Sequence, residues 1–365
     1  MVEGKPTEHP YNMYRHIMDQ ADAVRHAVTE YRAHIDQVAS AISGSSRLFL
    51  VGIGTSYHAT QVIDHAMREY GGGIQAYPVH SFDFTLYGPE LTANDCVIII
   101  SHKGTKSYSV QALDRARNAG ATTVMVTGIG LEGKPDQVDH VIETVELEQS
   151  ATYTISYTGA LSAMILLAER IGYHRTNQSA VEQIFFEQEL PAVIEAGTQF
   201  DDEMKAWAND AIKARRIWLT GGGPGSVVAQ EVALKIKEAS YLQAEGIHVE
   251  QFLHGALQNV EPEDTFIVIA PEGAAQSRVF EFVEAIKELG VPYRVVSDGT
   301  AGQIVDGASG SIDVPSVPEP FASISCLVPL QLFAYYLALA AGTHPDTFRL
   351  DDPRFARAFQ KASLY

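Results

Sequence analysis

Two stretches of this sequence, far apart in the chain, each set a glycine-rich turn between an apolar strand and a helix. The first reads Leu48-Phe49-Leu50-Val51-Gly52-Ile53-Gly54-Thr55-Ser56-Tyr57, the second Ile217-Trp218-Leu219-Thr220-Gly221-Gly222-Gly223-Pro224-Gly225-Ser226. A strand–turn–helix unit used twice points to one α/β fold repeated. It also suggests an anion at a helix N-terminus, where backbone N–H groups and the helix dipole both favour negative charge. The second turn leads into a helix with Lys235, Lys237 and Glu238, and His254 follows sixteen positions after that glutamate. A carboxylate and an imidazole suit acid–base chemistry on the ligand's carbon skeleton.

With 365 residues, 46% of them hydrophobic and 19% charged, the chain can build two ordinary globular domains. Its formal charge of −19 repels nucleic acid and acidic membrane surfaces, and no run of Lys or Arg offsets it. An anionic small molecule must then be drawn in by a local site. Cys96 and Cys326 both lie in apolar runs and read as buried core thiols, which fits the reducing cytoplasm. The first residues, Met1 to Pro6, have no apolar signal core. The apolar stretch Cys326 to Gly342 is short for a bilayer span, contains Gln331, and reads as a buried helix.

Apolar residues at helical spacing predict a helical arm over 13–42. Strands are predicted at 48–51, 75–79, 96–100 and 122–126, alternating with helices at 57–69, 107–118 and 159–171. After an acidic, largely helical link at 182–203, the pattern recurs. Strands fall at 217–220, 266–270, 293–296 and 312–314, and helices at 226–242, 277–289 and 327–341. Val- and Ile-rich strands alternating with helices predict an α/β chain of two tandem domains. Each would be a doubly wound parallel sheet flanked by helices, a flavodoxin-like three-layer sandwich. The expected organisation is an arm at 1–43, domains at 44–180 and 209–345, a linker helix at 181–208, and a tail at 346–365. The tail region from His344 carries Arg349, Arg354, Arg357 and Lys361, and reads as a flexible end or a flap over a site.

Three motifs carry a family resemblance: Ile53-Gly54-Thr55-Ser56; Ser101-His102-Lys103-Gly104-Thr105-Lys106; and Ala233-Leu234-Lys235-Ile236-Lys237-Glu238-Ala239-Ser240-Tyr241 with Ala244-Glu245 and His254-Gly255. Through them the chain resembles the tandem sugar-isomerase (SIS) proteins, in layout the isomerase half of glucosamine-6-phosphate synthase. The resemblance implies that Glu238 shuttles a proton between C1 and C2, and that His254 opens the sugar ring and reaches a neighbouring subunit's site. Glu245 would support the site. Ser56 and Ser101 would hold the anionic end of the sugar, with Gly54, Thr55, His102, Lys103, Lys106, Ser156 and Lys235 completing the substrate-contacting set. Tyr153 and Tyr157 lie in a segment that the family places near the sugar. The resemblance also implies a homodimer with a shared active site, and neither cofactor nor metal.

The departures from the family pattern are informative. Val2 follows Met1, so no glutaminase domain with an N-terminal Cys nucleophile is expected and glutamine is not the nitrogen source. His102, Lys103 and Lys106 stand where the family has Gln, Ser and Thr. Phosphate is the family default, but added cations also suit a sulfonate, such as that of sulfoquinovose. The family's tail lysine has no match, and Lys361 is its nearest substitute. Gly52-Ile53-Gly54 lacks the third glycine of a dinucleotide fingerprint, Tyr57 standing in its place. The pairs His58 and His65, and His248 and His254, lack the i, i+4 spacing of a helical zinc site.

The expected function is aldose–ketose isomerisation of a sugar with an anion at C6. Two alternatives stay open: deamination or deglycation of an amino-sugar phosphate, and a non-enzymatic sugar-phosphate sensor. The sensor reading lacks a basic DNA-binding arm.

Overall fold

A computed structural model describes residues 6–130 and 138–362; the first five residues and the last three of the tail lie outside them. The chain divides into two compact units. The N-terminal unit takes residues 19–148 and 155–192; the C-terminal unit takes 1–18, 149–154 and 193–365.

The N-terminal unit contains most of α1 (Asn12–Glu30), then α2 (Arg32–Ile42), β1 (Arg47–Gly52), α3 (Thr55–Tyr70), β2 (Ala76–His80), α4 (Ser81–Tyr87), β3 (Asp95–Ile100), α5 (Ser107–Asn118), β4 (Thr122–Ile129), β5 (His140–Glu146) and α6 (Ile155–Thr176). Its five strands are parallel in the order β2-β1-β3-β4-β5. Phe49, Val51, Val97, Ile99 and Met125 of the sheet pack with Phe84 of α4 and Leu113 of α5 in one buried layer. Helices α2, α3 and α6 pack together elsewhere in the unit.

The C-terminal unit contains α7 (Leu190–Thr198, from Val193 on), α8 (Asp201–Ala211), β6 (Ile217–Gly221), α9 (Pro224–Ser240), β7 (Ala244–His248), α10 (Val249–Leu253), β8 (Thr265–Ile269), α11 (Gln276–Glu288), β9 (Tyr293–Ser297), α12 (Gly302–Val305), β10 (Gly310–Asp313), α13 (Glu319–Ser325), α14 (Leu327–Ala340) and α15 (Pro353–Lys361). Its parallel sheet runs β7-β6-β8-β9-β10, the same path as the first sheet. Trp218, Phe252, Phe266, Phe282 and Tyr293 lie together in one buried cluster of this unit. The start of the chain also belongs here: the Asp346 carboxylate, fully buried, accepts from the backbone N–H groups of Asn12 and Met13 at 2.9 Å each, at the N-terminus of α1.

In both sheets the strand order turns back between the first and third strands. Open α/β sheets bind ligands outside the carboxyl ends of strands at such a point. The glycine turns and the loops after β3 and β8 therefore flank the natural crevice of each unit.

The strand–helix alternation and the repeat match expectation, with local differences, among them the short helices α4, α10, α12 and α13, which were not expected. The arm breaks at Tyr31 into two helices. The strands β5 and β7 were not expected; both are edge strands of mixed polarity, His140–Glu146 and Ala244–His248, without the apolar run of a central parallel strand. Residues 353–361 of the tail are helical, with no buried residue. The stretch Glu319–Ala340 is long and apolar enough for a membrane span, yet it is packed inside the protein as α13 and α14.

Candidate functional site

In the N-terminal unit the candidate anion loop, residues 101–106 together with the turn at Gly54, is built on two helix starts. Gly54 precedes α3 with φ 59°, a left-handed conformation natural only to glycine, and its carbonyl accepts from the N–H groups of Tyr57 and His58 at 2.8 and 3.1 Å. Thr55 and Ser56 thus occupy the first turn of α3, half-buried. Ser101 is buried at the end of β3, where its N–H donates to the Val126 carbonyl at 2.9 Å. Lys106 is the N-cap residue of α5, and Lys103 and Lys106 are both exposed. The loop backbone is tied to the next strand: the His102 carbonyl accepts from Gly128 N–H at 3.0 Å and from the Thr127 hydroxyl at 3.2 Å. Two helix N-termini, the hydroxyls of Thr55, Ser56 and Ser101, and two cations make this region suited to an oxyanion.

Two of the expected contact residues are hydrogen-bonded to Glu148. His102 was read as a cation of the loop. Its Nε2 instead accepts the Glu148 N–H at 2.9 Å, which requires that nitrogen to be unprotonated. Ser156 was read as touching substrate. It is buried, and its hydroxyl donates to Glu148 Oε2 at 2.6 Å while its N–H donates to the same oxygen at 3.2 Å. Glu148, which the motif reading missed, therefore joins the loop to the start of α6. Its backbone holds His102 and its carboxylate caps the helix.

In the C-terminal unit the candidate acid–base residue Glu238 lies on α9, which follows Gly223, itself at φ 52°. Glu231, Lys235 and Glu238 recur at steps of four and three and share one helix face. The Lys235 side chain is 1% exposed, bonds to Glu238 Oε2, and lies 3.5 Å from Glu231 Oε1; Glu231 is 1% exposed and Glu238 14%. Lys235 was expected to contact substrate. Its ammonium is matched to two carboxylates, the condition under which charges persist in a protein interior. Glu238 alone of the three reaches solvent appreciably. Glu231 could have been found from its spacing to Lys235 on the helix. Lys237 is exposed on another face.

Two further candidates lie at the surface of this unit. Glu245 is exposed on edge strand β7, opposite Trp218 in register. His254 follows α10, with its side chain 71% exposed and Nε2 3.0 Å from Glu250 Oε1. The Glu250 carboxyl is held below its usual range by hydrogen bonds from Arg278 and then His254. Beyond α9, Tyr241 adopts φ 61° and the Arg349 guanidinium lies over its ring at 5.0 Å, with Phe348 and Arg349 themselves left-handed. Lys361 is exposed at the end of α15. Tyr153 is half-buried and Tyr157 buried at the start of α6.

The SIS domain family model matches residues 41–169 and 211–341. The glutamine–fructose-6-phosphate aminotransferases (isomerizing) of Aquifex aeolicus and Pyrococcus horikoshii are 27% and 28% identical over 339 and 338 residues. Each alignment covers 92% of this chain and 56% of the relative. The chain thus spans little more than half the length of the curated relatives it matches. Among solved structures, the C-terminal domain of glucosamine-fructose-6-phosphate aminotransferase from Francisella tularensis shares the fold at a TM-score of 0.85 and 17% identity, covering 93% of this chain and 98% of that one. Tagatose-6-phosphate ketose/aldose isomerase from Escherichia coli does so at 0.78 and 16%, covering 92% and 95%.

Proposed function

The chain belongs to the SIS domain family, and from that premise we propose that it is an aldose–ketose isomerase acting on a sugar with an anion at C6. The observation that carries this reading is the buried Glu231–Lys235–Glu238 group on α9, with a single carboxylate turned to solvent. Relatives named for fructose 6-phosphate and tagatose 6-phosphate chemistry support the substrate class.

In this reading the anion is gripped by Ser56, Ser101, the N–H groups at Gly54 and Thr55, and the cations Lys103 and Lys106. His102 and Ser156 act through Glu148 to hold the loop in shape. His254 moves the proton that opens the ring, and is supplied by a second copy in a homodimer with a shared site. Glu238 takes the proton from C2 of the open aldose, leaving an enediolate, and returns it to C1 while the O2 proton passes to O1, which gives the ketose. One base serving both carbons needs no solvent rearrangement between the two transfers. Lys235 keeps that base charged and oriented.

The test compares glucose 6-phosphate with sulfoquinovose as substrates for the wild-type chain and Glu238→Gln. The wild type isomerises the substrate whose anion it prefers. Glu238→Gln loses about three orders of magnitude in turnover while binding the sugar as before. Retained turnover in Glu238→Gln overturns the assignment of the base. Ammonia release from glucosamine 6-phosphate without isomerisation replaces the reading with a deaminase, and binding without any turnover replaces it with a sensor.

A further inference from the structure

The loop after β8 stands where residues 101–106 stand in the N-terminal unit, six residues with glycine fourth, and carboxylates of its own unit already accept from its backbone. Pro271 to Ala275 lead from β8 to α11 as His102 to Lys106 lead from β3 to α5. In the C-terminal copy, Glu272 N–H lies 3.1 Å from both oxygens of the Asp298 carboxylate, and Ala274 N–H donates to Glu319 Oε1 at 3.2 Å. Asp298 follows β9 and Glu319 opens α13, so both carboxylates come from elements of the same unit. The backbone is cut to fit the second of them. A side-chain carbon at Gly273 would overlap Glu319 Oε1, and one at Gly223 would stand 3.5 Å from it. Glu319 lines a narrow cleft together with Gly222, Pro224, Gly273 and Ala275, between the starts of α9 and α11.

We propose that this loop is an oxyanion cradle held shut by the Glu319 carboxylate as a built-in ligand, and that removal of that side chain opens it to a small carboxylate or phosphate. A carboxylate is favoured where backbone N–H groups and helix dipoles converge. In a chain of net charge −19, two acidic groups directed at one loop repel each other and the rest of the molecule. The N–H groups they accept from compensate that repulsion. The C-terminal unit therefore offers no vacancy here to a substrate anion. The inference is independent of the proposed reaction, because neither Glu319 nor Gly273 has a part in it.

The test follows thermal unfolding of the full chain with acetate as the probe, and chloride at equal ionic strength as the control. Glu319→Ala melts below the wild type, and saturating acetate recovers at least half of the loss while chloride recovers none. The wild type and Glu319→Gln, which keeps the shape and an acceptor oxygen, gain nothing from acetate. An equal acetate response in wild type and Glu319→Ala overturns the proposal. A second arm uses Gly273→Ala, whose added carbon collides with the carboxylate. Its melting loss in the wild-type background is at least halved in Glu319→Asp, where the shorter side chain draws the carboxylate back. Equal losses in the two backgrounds also overturn the proposal.

Discussion

Ser101-His102-Lys103-Gly104-Thr105-Lys106 and Ala270-Pro271-Glu272-Gly273-Ala274-Ala275 leave matching strands, keep glycine at the fourth place, and end at the residue before a helix of 12 or 13 residues. One loop holds hydroxyls and cations; the other holds a glutamate and small side chains. The frame around them is conserved between the halves in detail. Gly54 and Gly223 share their backbone angles, φ 59° and ψ −130° against φ 52° and ψ −133°. Arg47 and Arg216 each pair with the first or preceding residue of the third strand, Asp95 and Asp264, and each lies 5.0 Å over the next aromatic ring, Phe49 or Trp218. His80 and His248 each accept the N–H two residues on and cap a short helix. The repeat keeps what fixes strand and helix ends and changes what faces a ligand.

The helices after the two turns differ in the same way. Counted from Gly54 and Gly223, the positions of Glu231 and Lys235 in α9 fall to Val62 and Ala66 in α3, both fully buried and apolar. Lys235→Ala leaves two carboxylates on one buried face without their cation and costs about 3–5 kcal/mol in urea unfolding. Adding Glu231→Val, which copies α3, recovers most of that loss. If the double variant is no more stable than Lys235→Ala, buried charge is not what separates the two helices.

The paired aspartates give a smaller effect with a pH signature. Asp95 accepts from Arg47 Nε at 2.8 Å and from its terminal nitrogen at 2.7 Å, and Thr92 N–H adds a third bond at 2.7 Å. The bonds from Arg47 hold its carboxyl below the usual carboxylate range. A depressed folded value stabilises the protein above the unfolded value, near pH 4, and that gain is lost as pH falls through the folded value. Asp95→Asn should therefore cost about 2–3 kcal/mol near pH 7, with the gap to wild type closing below pH 4. Asp264, whose bonds from Arg216 Nε and Trp218 Nε1 are 3.3 and 3.0 Å, should lose less on the same substitution. Equal losses at both sites, unchanged down to pH 3, contradict this account.

Removing one exposed cation, by Lys103→Ala or Lys106→Ala, should weaken phosphate binding by about 0.5–1 kcal/mol, and less at high salt. The counterpart change Glu272→Lys should leave that binding where it is. A calorimetric titration that moves equally for both would place the anion elsewhere. The smallest effect concerns the two thiols, one per unit, Cys96 and Cys326, which burial pushes up from their ordinary values. Neither should react with a thiol reagent in the native protein. Unequal rates in mild denaturant would show which unit opens first.

Much of this was legible in the sequence because central parallel strands are apolar on both faces. Leu48–Val51, Cys96–Ile100, Ile217–Thr220 and Phe266–Ala270 are nearly continuous hydrophobic runs between glycine and helix signals. Edge strands such as His140–Glu146 bury one side unevenly and send no such signal. At the site, residue types were readable but not every bond was. Glu231, Lys235 and Glu238 share one helix face, so their pairing could have been read from the local spacing. The bond by which His102 accepts an N–H from Glu148, 46 residues on, could not, because it is fixed by packing of elements distant in the chain, which no local period encodes.

The Asp346 contacts have a consequence for biosynthesis. The N–H groups of Asn12 and Met13 are satisfied by a carboxylate more than 330 residues downstream, so they are made by the ribosome long before their acceptor. Every segment of the N-terminal unit, by contrast, has been translated by residue 192. That unit can consolidate while synthesis continues, and the opening turn of α1 must wait for the last stretch of chain to emerge.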